Sequence, residues 1–294
     1  MRGAGDAQTS RTVLRRVARL IGVISYPLIG LVAFVALWWL WIETLVDPES
    51  FLADWSPRDA VPALWNLLRE GDLNRHVIAS VKRIVVGLTV ATALGVPLGI
   101  ALGSWRWFNL TMSPITAFVR MVSPLSWTPL AIILFGVGDP PVYFLTSIGA
   151  MWPIALSTSR GVSSLDPQWL MLGRSLGATR IEAFRTIVWP GIKSDVLNGL
   201  RLGMTTAWII LVPAEMLGVD SGLGFFILDA RDRFNYPEVV AAIIVIGFIG
   251  LVLDRLAQWL LTPRRRTRSA RVTSSVGMPA PGERGVFAGG QFRI

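Results

Sequence analysis

The sequence predicts an all-α, polytopic membrane protein with six transmembrane helices and a pair of short helices on the cytoplasmic side. Of its 294 residues, 52% are hydrophobic and 16% are charged, and the mean hydropathy is +0.55. A soluble domain carries about 25% charged residues. Six apolar runs are close to the ~20 residues that a helix needs to cross the hydrocarbon core of a bilayer. Between the fourth and fifth runs, a more polar stretch of about 35 residues carries the signals of two short helices.

The same composition excludes several classes of protein. There is no cysteine and one histidine, His76, so thiol catalysis, a disulfide framework and a Cys/His metal site are excluded. His76 lies outside the apolar runs, and we expect it to be solvated. The sequence shows no nucleophile–base pair or metal-ligand cluster at lipid depth, and we therefore expect no catalytic residue and no metal site.

The first apolar run, Ile24–Val46, follows a basic segment of residues 1–23. It is longer than the roughly 7–15 residues of a signal-peptide core, so we predict an uncleaved first span. The connection that follows, to about residue 73, is predicted to lie on the outer side. It contains an interfacial helix around Ala60–Leu68.

The other five runs lie between residues 74 and 262 and form the predicted membrane core. The second run is rich in small residues, and the third is interrupted by prolines. The segment after the last run (263–294) is rich in Arg, Ser, Gly and Pro, which predicts a disordered tail. The five runs are Ile84–Gly103, Thr111–Phe135 (broken by Pro114, Pro124 and Pro129), Val142–Ser159, Val196–Leu217 and Val239–Leu261.

The net charge of +9 and the pI near 11.2 come from arginines that flank the first and last apolar runs. With both termini inside, the cytoplasmic side holds 18 basic and 6 acidic residues, and the outer side holds 7 basic and 13 acidic residues. The other three basic residues are arginines within the spans. An excess of basic residues on one side is typical of cytoplasmic loops. The charge pattern therefore predicts cytoplasmic termini and a lipid bilayer as the partner, not a nucleic acid.

The cytoplasmic stretch Gly161–Asp195 is predicted to hold two short helices joined by a tight turn. Asp166 and Pro167 suit the N-cap and first position of a helix, and Gly177 suits its left-handed C-terminal position. The segment Thr179–Glu182 matches the capping-box pattern for the start of a second helix. Pro190 is expected to end that helix.

This stretch resembles the EAA loop of importer-type ABC transporter permeases. In that pattern Glu-Ala-Ala is followed by three residues, Gly, nine residues and Ile-x-Leu-Pro, and here Gly177, Ile187 and Pro190 align without a gap. The sequence departs from the pattern with Met-Leu-Gly at 171–173 and with Trp189 in place of Leu. The resemblance extends over about Asn74–Leu261. Within it, five further segments resemble the nitrate/sulfonate/taurine/bicarbonate branch: Ser80–Arg83, Arg174–Thr179, Gly199–Arg201, Glu215–Leu217 and Gly222–Gly224.

The resemblance implies a permease subunit of an ATP-driven importer with an ABC importer type I fold. Such a subunit pairs with a second permease, receives its solute from an extracytoplasmic binding protein and contacts two ATPase subunits through its EAA loop. No lysine here follows the glycine of a phosphate-binding loop, so ATP is expected to be used by the partners and no cofactor to be bound by this chain. The implied ATPase-coupling loop, 164–190, contains Asp166, Gly173, Gly177, Ala178, Thr179, Glu182, Ile187 and Pro190.

Two charged residues near the spans are candidates for the translocation path. Arg120 either borders the path and attracts an anion, or lies near the cytoplasmic end of its span and extends its charge to water, because a charge at membrane depth is costly. Glu215 either faces the outer mouth or pairs with an arginine.

A face of small residues on the second span (Gly87, Gly95, Gly99 and Gly103) permits close helix packing. The packing partner is either a second subunit or another helix of the same chain.

Three other functions were considered. A secondary transporter would need intramembrane carboxylates as an ion site, and the central spans contain almost none. A channel or structural scaffold would leave the resemblance to the EAA loop without an explanation. A membrane-embedded enzyme would need a reactive cluster that the sequence does not contain. The favoured function is the import of a small anion such as nitrate, a sulfonate or taurine.

Overall fold

The computed structural model describes residues 29–47, 50 and 53–261, and within this part helices are joined by short turns without a β-strand. The predictions for residues 1–23 and 263–294 lie outside the described residues. Short 3₁₀ turns, Ala53–Trp55 and Pro124–Trp127, precede α2 and α5. The helices are α1 (Ile29–Leu45), α2 (Pro57–Glu70), α3 (Asp72–Ser104), α4 (Arg106–Met121), α5 (Thr128–Phe135), α6 (Asp139–Ser163), α7 (Pro167–Ser175), α8 (Arg180–Ala183), α9 (Trp189–Glu215), α10 (Leu223–Asp232) and α11 (Tyr236–Leu261).

The prediction of an all-α protein with membrane-spanning helices is confirmed. Three helical segments of the described chain are long and apolar enough to cross a membrane, namely Leu73–Ser104, Arg180–Glu215 and Tyr236–Leu261. The pair α4 and α5 supplies a fourth crossing if it counts as one broken span. The first and fourth predicted runs correspond to α1 and α6, which are not among the helices that are both long and apolar enough to cross a membrane. The number of six spans therefore stays a prediction.

The helix α6 is enclosed by protein, which explains why it is not more apolar. Its 25 residues are long enough for a bilayer, at about 1.5 Å per residue. Polar side chains along it, including Thr146, Ser157 and Thr158, are nearly or fully buried. The hydroxyl of Thr146 donates to the Val142 carbonyl at 2.7 Å, within its own helix. A helix covered on two sides by other helices needs few lipid-facing apolar residues.

The glycine face of α3 packs against α6 inside the same chain. A Cβ on Gly95 would lie 2.9 Å from the carbonyl oxygen of Met151, and a Cβ on Gly99 would overlap that of Ala155. Gly87 and Gly103 approach α6 equally closely. Of the two predicted packing partners of this face, a second subunit or another helix of the same chain, the structure has the helix of the same chain.

A neighbouring face of α6 is covered by α9 through a second set of small residues. A Cβ on Gly199 would lie 2.8 Å from the Cβ of Ser157, and one on Gly203 would lie 3.0 Å from the Ala150 carbonyl oxygen. The helices α3, α6 and α9 thus form a three-helix core in which α6 is the middle element.

The predicted third span is sharply bent. The axes of α4 and of the segment Pro124–Phe135 differ by 89°. The break comes just before Pro124, where Ser123 is extended because a following proline disfavours the helical conformation. Pro114 lies within α4, and Pro129 lies in the first turn of α5, where its missing N–H costs nothing.

A second, smaller core closes the end of the bundle that contains the starts of α3 and α6. The predicted interfacial helix is α2, slightly longer than expected. The helix α10 is not among the predicted elements. The buried residues of this core come from α2, α3, α10 and α11: Leu67, Leu73, Leu223, Phe226, Ala241 and Ala242.

Replacing Gly99 with alanine is expected to destabilise the bundle, because the added methyl group would overlap the backbone of α6. Overpacking of this kind costs about 1–3 kcal/mol. The midpoint of thermal unfolding in detergent should fall by several degrees. The matched control is Gly247→Ala in α11, where a Cβ meets nothing within 4 Å. Equal midpoints for the two variants would contradict the packing described here.

Candidate functional site

The first helix of the loop 164–190 begins at the predicted residue. Asp166 has extended backbone angles, and its carboxylate accepts a 2.9 Å hydrogen bond from the N–H of Gln168. Pro167 occupies the first helical position, where its missing N–H has no intrahelical partner to lose. The helix α7 starts only three residues after α6 ends, so little flexible chain lies between them.

The turn after α7 depends on Gly177. Its φ of +79° is in the left-handed region that favours glycine. The N–H groups of Gly177 and Ala178 donate to the carbonyls of Arg174 and Gly173, both at 3.0 Å, which satisfies the free carbonyls of the helix end. A Cβ on Gly177 would meet nothing within 4 Å. The requirement for glycine is therefore conformational and not steric.

The second helix starts with a complete capping box. The N–H of Thr179 donates to Glu182 Oε2 at 2.8 Å, and the N–H of Glu182 donates to Thr179 Oγ1 at 3.3 Å. Two otherwise free backbone donors are thus satisfied by reciprocal bonds.

The expectation that Pro190 ends the second helix is wrong. The helix continues from Arg180 to Glu215, and a π-helical turn at Phe184–Val188 joins α8 to α9. The N–H of Trp189 donates to the carbonyl of Phe184, five residues back. Pro190 comes directly after this wider turn, at the start of α9, where a proline is tolerated.

The two helices of the loop contact each other at Gly173 and Ile187. Gly173 is buried, and a Cβ there would lie 2.8 Å from Cδ1 of Ile187. The end of the Ile187 side chain would therefore have to shift to admit a side chain at position 173. The structure thus brings Gly173, Gly177, Ala178 and Ile187 together at one turn.

The loop presents an exposed apolar surface that lies outside the predicted spans. The departures from the EAA pattern, Met171 and Leu172, are 58% and 50% exposed. An exposed apolar patch on a part of the protein away from lipid indicates a protein interface. The large apolar residues exposed on the loop are Trp169, Met171, Leu172, Leu176, Ile181, Phe184 and Trp189.

Arg120 lies in the last turn of α4, next to the sharp bend. It borders a cavity of about 210 Å³ that Trp127, Trp152 and Thr206 also line. On its other side it borders a larger, open groove between α4 and the end of α6. This position agrees with a place beside the translocation path and also with a charge that extends to water, because the groove leads toward the end of α6.

Glu215 is fully buried and pairs with Arg83. Of its two predicted environments, the outer mouth and an arginine pair, the structure has the arginine pair. Arg83 Nη1 lies 2.9 Å from Glu215 Oε1. The hydroxyl of Ser80 and the N–H of Gly224 also donate to this carboxylate, at 2.8 and 3.0 Å. Because its carboxylate is enclosed, Glu215 does not line an open path in this conformation, and we do not place it on the solute route.

Arg83 also contacts Asp139, the first residue of α6. Its Nη2 lies 2.6 Å from Asp139 Oδ1. Burial tends to raise the pKa of Asp139, but the hydrogen bond and the charge of Arg83 outweigh it, so this pKa lies below its ordinary value. Arg83 thus joins α3 to the start of α6 and the end of α9.

His76 was expected to be solvated, and this expectation is wrong. The structure extends α3 back to Asp72, so His76 lies on a helix and is only 8% exposed. Its Nδ1 lies 3.1 Å from both the nitrogen and the carbonyl oxygen of Gly222, and its ring packs against Phe226.

Two partners of Glu215, Ser80 and Arg83, and the second partner of Arg83, Asp139, were not identified from the sequence. One signal was available: Ser80 and Arg83 are three residues apart and share a helix face, and Arg83 and Glu215 have opposite charges at the same predicted side of the membrane. No comparable signal pointed to Asp139, because its position depends on how α6 enters the core.

Comparison with known proteins agrees with these features. The family described as "binding-protein-dependent transport system inner membrane component" matches residues 95–266. The bicarbonate transport system permease protein CmpB of Synechococcus elongatus is 31% identical over 247 residues, which cover 81% of this chain and 88% of that protein. The nitrate import permease protein NrtB of Synechocystis is 29% identical over 238 residues, covering 80% and 86%.

A similar fold is present in a solved structure. A chain of the MetNI methionine ABC transporter, from a crystal form with inward-facing conformations, matches with a TM-score of 0.50 at 18% identity. The match covers 67% of this chain and 97% of that chain. At this identity the likeness shows the fold.

Replacing Glu215 with glutamine is expected to lower the stability of the bundle, because the buried Arg83 loses one of its two carboxylates. Breaking a buried pair costs about 3–5 kcal/mol, and we expect the lower part of this range because Asp139 remains. The measurement is thermal unfolding of the purified protein in detergent. The control, Asp232→Asn, removes a carboxylate from an exposed pair with Arg231 and should change the midpoint little. A Glu215→Gln variant as stable as the control would contradict the assigned role.

Proposed function

This chain belongs to the family of binding-protein-dependent transport system inner membrane components, and we propose that it carries a small anion inward as half of a homodimeric permease. It is a membrane permease subunit of an ABC importer, a multi-pass protein of the inner membrane that works with ATPase and substrate-binding partners. The homodimer, the cytoplasmic position of both termini and the identity of the solute are parts of the proposal.

The proposed contact for the ATPase subunits is the loop 164–190. The geometry at its two ends supports this assignment. The loop follows α6 after a short turn, and it continues into α9 without an interruption of the helix. A displacement of the loop by a partner is therefore transmitted directly to two of the three core helices.

The proposed mechanism is alternating access. A ligand shifts a conformational equilibrium only by its different affinity for the two states. ATP bound by the partner subunits would favour one arrangement of the assembly, and its hydrolysis would favour the other. In this chain the loop 164–190 is displaced together with the ATPase subunits, and α6 and α9 move with the loop.

The proposed solute is a small oxyanion or an organosulfonate. Support comes from Arg120, which borders two concavities next to the bend between α4 and α5. Within the residues that the structure describes, Arg120 has no carboxylate partner, and a cation in this position attracts anions. Two of the similar proteins are named as a bicarbonate permease and a nitrate permease, and both of these solutes are small oxyanions.

Replacing Gly177 with valine is expected to weaken the docking of the ATPase, because a β-branched residue disfavours φ of +79° and distorts the turn. The measurements are co-purification of the ATPase subunits and ATP-driven uptake, and we expect both to fall at least about tenfold if docking loses 1.4 kcal/mol or more. The matched control is Gly71→Val, which has φ of +77° at the left-handed end of α2 and lies outside the loop, so it should leave docking unchanged.

A second variant separates the surface from the backbone. Leu176 is 78% exposed, so Leu176→Glu should reduce docking without lowering the unfolding midpoint. If Gly177→Val and Leu176→Glu both retain full docking and uptake, the assignment of the loop is wrong.

Replacing Arg120 with glutamine is expected to slow the uptake of the transported anion, because the cation beside both concavities is lost. The initial rate should fall about tenfold or more, and Arg120→Lys should restore part of it. The measurement uses the complete transporter in liposomes with labelled nitrate, bicarbonate and taurine. Unchanged affinity and rate for every anion in Arg120→Gln would remove Arg120 from the path.

A further inference from the structure

The groove on the far side of Arg120 has an unusual lining. It is open, with a volume of about 650 Å³, and lies between α4 and the last turns of α6. One apolar residue, Leu156, contributes to it, and no carboxylate does. The polar lining consists of two guanidinium groups, one amide and three hydroxyl-bearing residues: Arg120, Arg160, Asn109, Ser159, Ser163 and Ser164.

Neither arginine in this groove is neutralised by the part of the chain that the structure describes. Arg160 donates from Nε to the Leu156 carbonyl at 3.3 Å, and no ion pair joins Arg120 or Arg160 to a carboxylate there. Arg83 has two carboxylate partners, and Arg201 has Asp254 at 3.5 Å. Two like charges that share one groove repel each other, and an anion between them relieves that repulsion.

The groove and the smaller cavity lie beside successive parts of the same helix and share Arg120. The smaller cavity contacts α6 at positions 148–153, and the groove contacts it from position 156 onward. Gly149 and Arg160 are eleven residues apart, which corresponds to about 16 Å along an α-helix. Arg120 lines both concavities, so a solute that moves from one to the other passes it.

We propose that Arg160 is a second anion-binding group on the solute route, which receives the anion from Arg120 and holds it before release into the cytoplasm. This inference rests on the proposed function, because it takes the groove as the inner end of the path. Conduction past charged groups requires binding that is strong enough for entry and weak enough for exit. Two successive arginines meet this requirement, because each one attracts the anion and also weakens the hold of the other on it.

The experiment uses the complete transporter in liposomes that contain ATP in the lumen, with the binding protein and labelled anion outside. Arg160→Gln should reduce initial uptake about tenfold, as expected when a hydrogen bond to a charged group is lost. It should also raise the luminal anion concentration that half-inhibits uptake, which a purely structural role would not change. Arg160→Lys should restore both values in part, and the control Arg255→Gln, which removes a charge from α11 outside this groove, should change neither.

The outcomes separate the inference from the proposed function. If Arg120→Gln impairs uptake while Arg160→Gln leaves both values unchanged, the inference is overturned and the proposed function stands. If neither variant affects any anion, the anion route itself is wrong.

The phosphate of an anionic lipid has the same chemistry as the solute, so uptake is also measured in phosphatidylcholine alone and with phosphatidylglycerol added. A defect of Arg160→Gln that occurs only with the anionic lipid would assign the groove to a headgroup and overturn the inference.

Discussion

The close approach of α3 and α9 to α6 is the constraint on which the rest of the structure depends. Glycines bring the backbones of the outer two helices against α6, so that its hydroxyl-rich surface is covered by protein and not by lipid. Since α6 is the middle helix, both of its ends and its central turns are held in place. Its first residue, Asp139, meets Arg83, and its last turn leads into the loop 164–190.

The two ends of this core are fixed by different chemistry. At one end, Arg83 joins α3, α6 and α9 through two carboxylates, and Glu215 also accepts from the start of α10. At the other end, the loop is held by caps, a left-handed glycine and a contact between Gly173 and Ile187. The first arrangement is charged and buried, whereas the second is exposed and local. Motion applied to the loop therefore acts on a bundle whose opposite end is tied together.

The concavities beside Arg120 follow from the same framework. The 89° bend at Pro124 turns α5 away from the direction of α4 and leaves Arg120 beside α6 without a carboxylate partner in the described chain. Two concavities lie along α6, one lined by Trp127 and Trp152 and the other formed by the groove at the end of the helix, and Arg120 lines both.

The sequence by itself determined the features that depend on local patterns. The apolar runs, the cap at Asp166, the turn at Gly177 and the capping box at Thr179 are each specified by residues within one or two helical turns, and the structure agrees with them. Tertiary structure alone decided the buried state of His76, the partners of Glu215 and the continuation of the helix past Pro190. These features join residues far apart in the chain, or depend on a π turn that packing stabilises, so no local pattern specifies them.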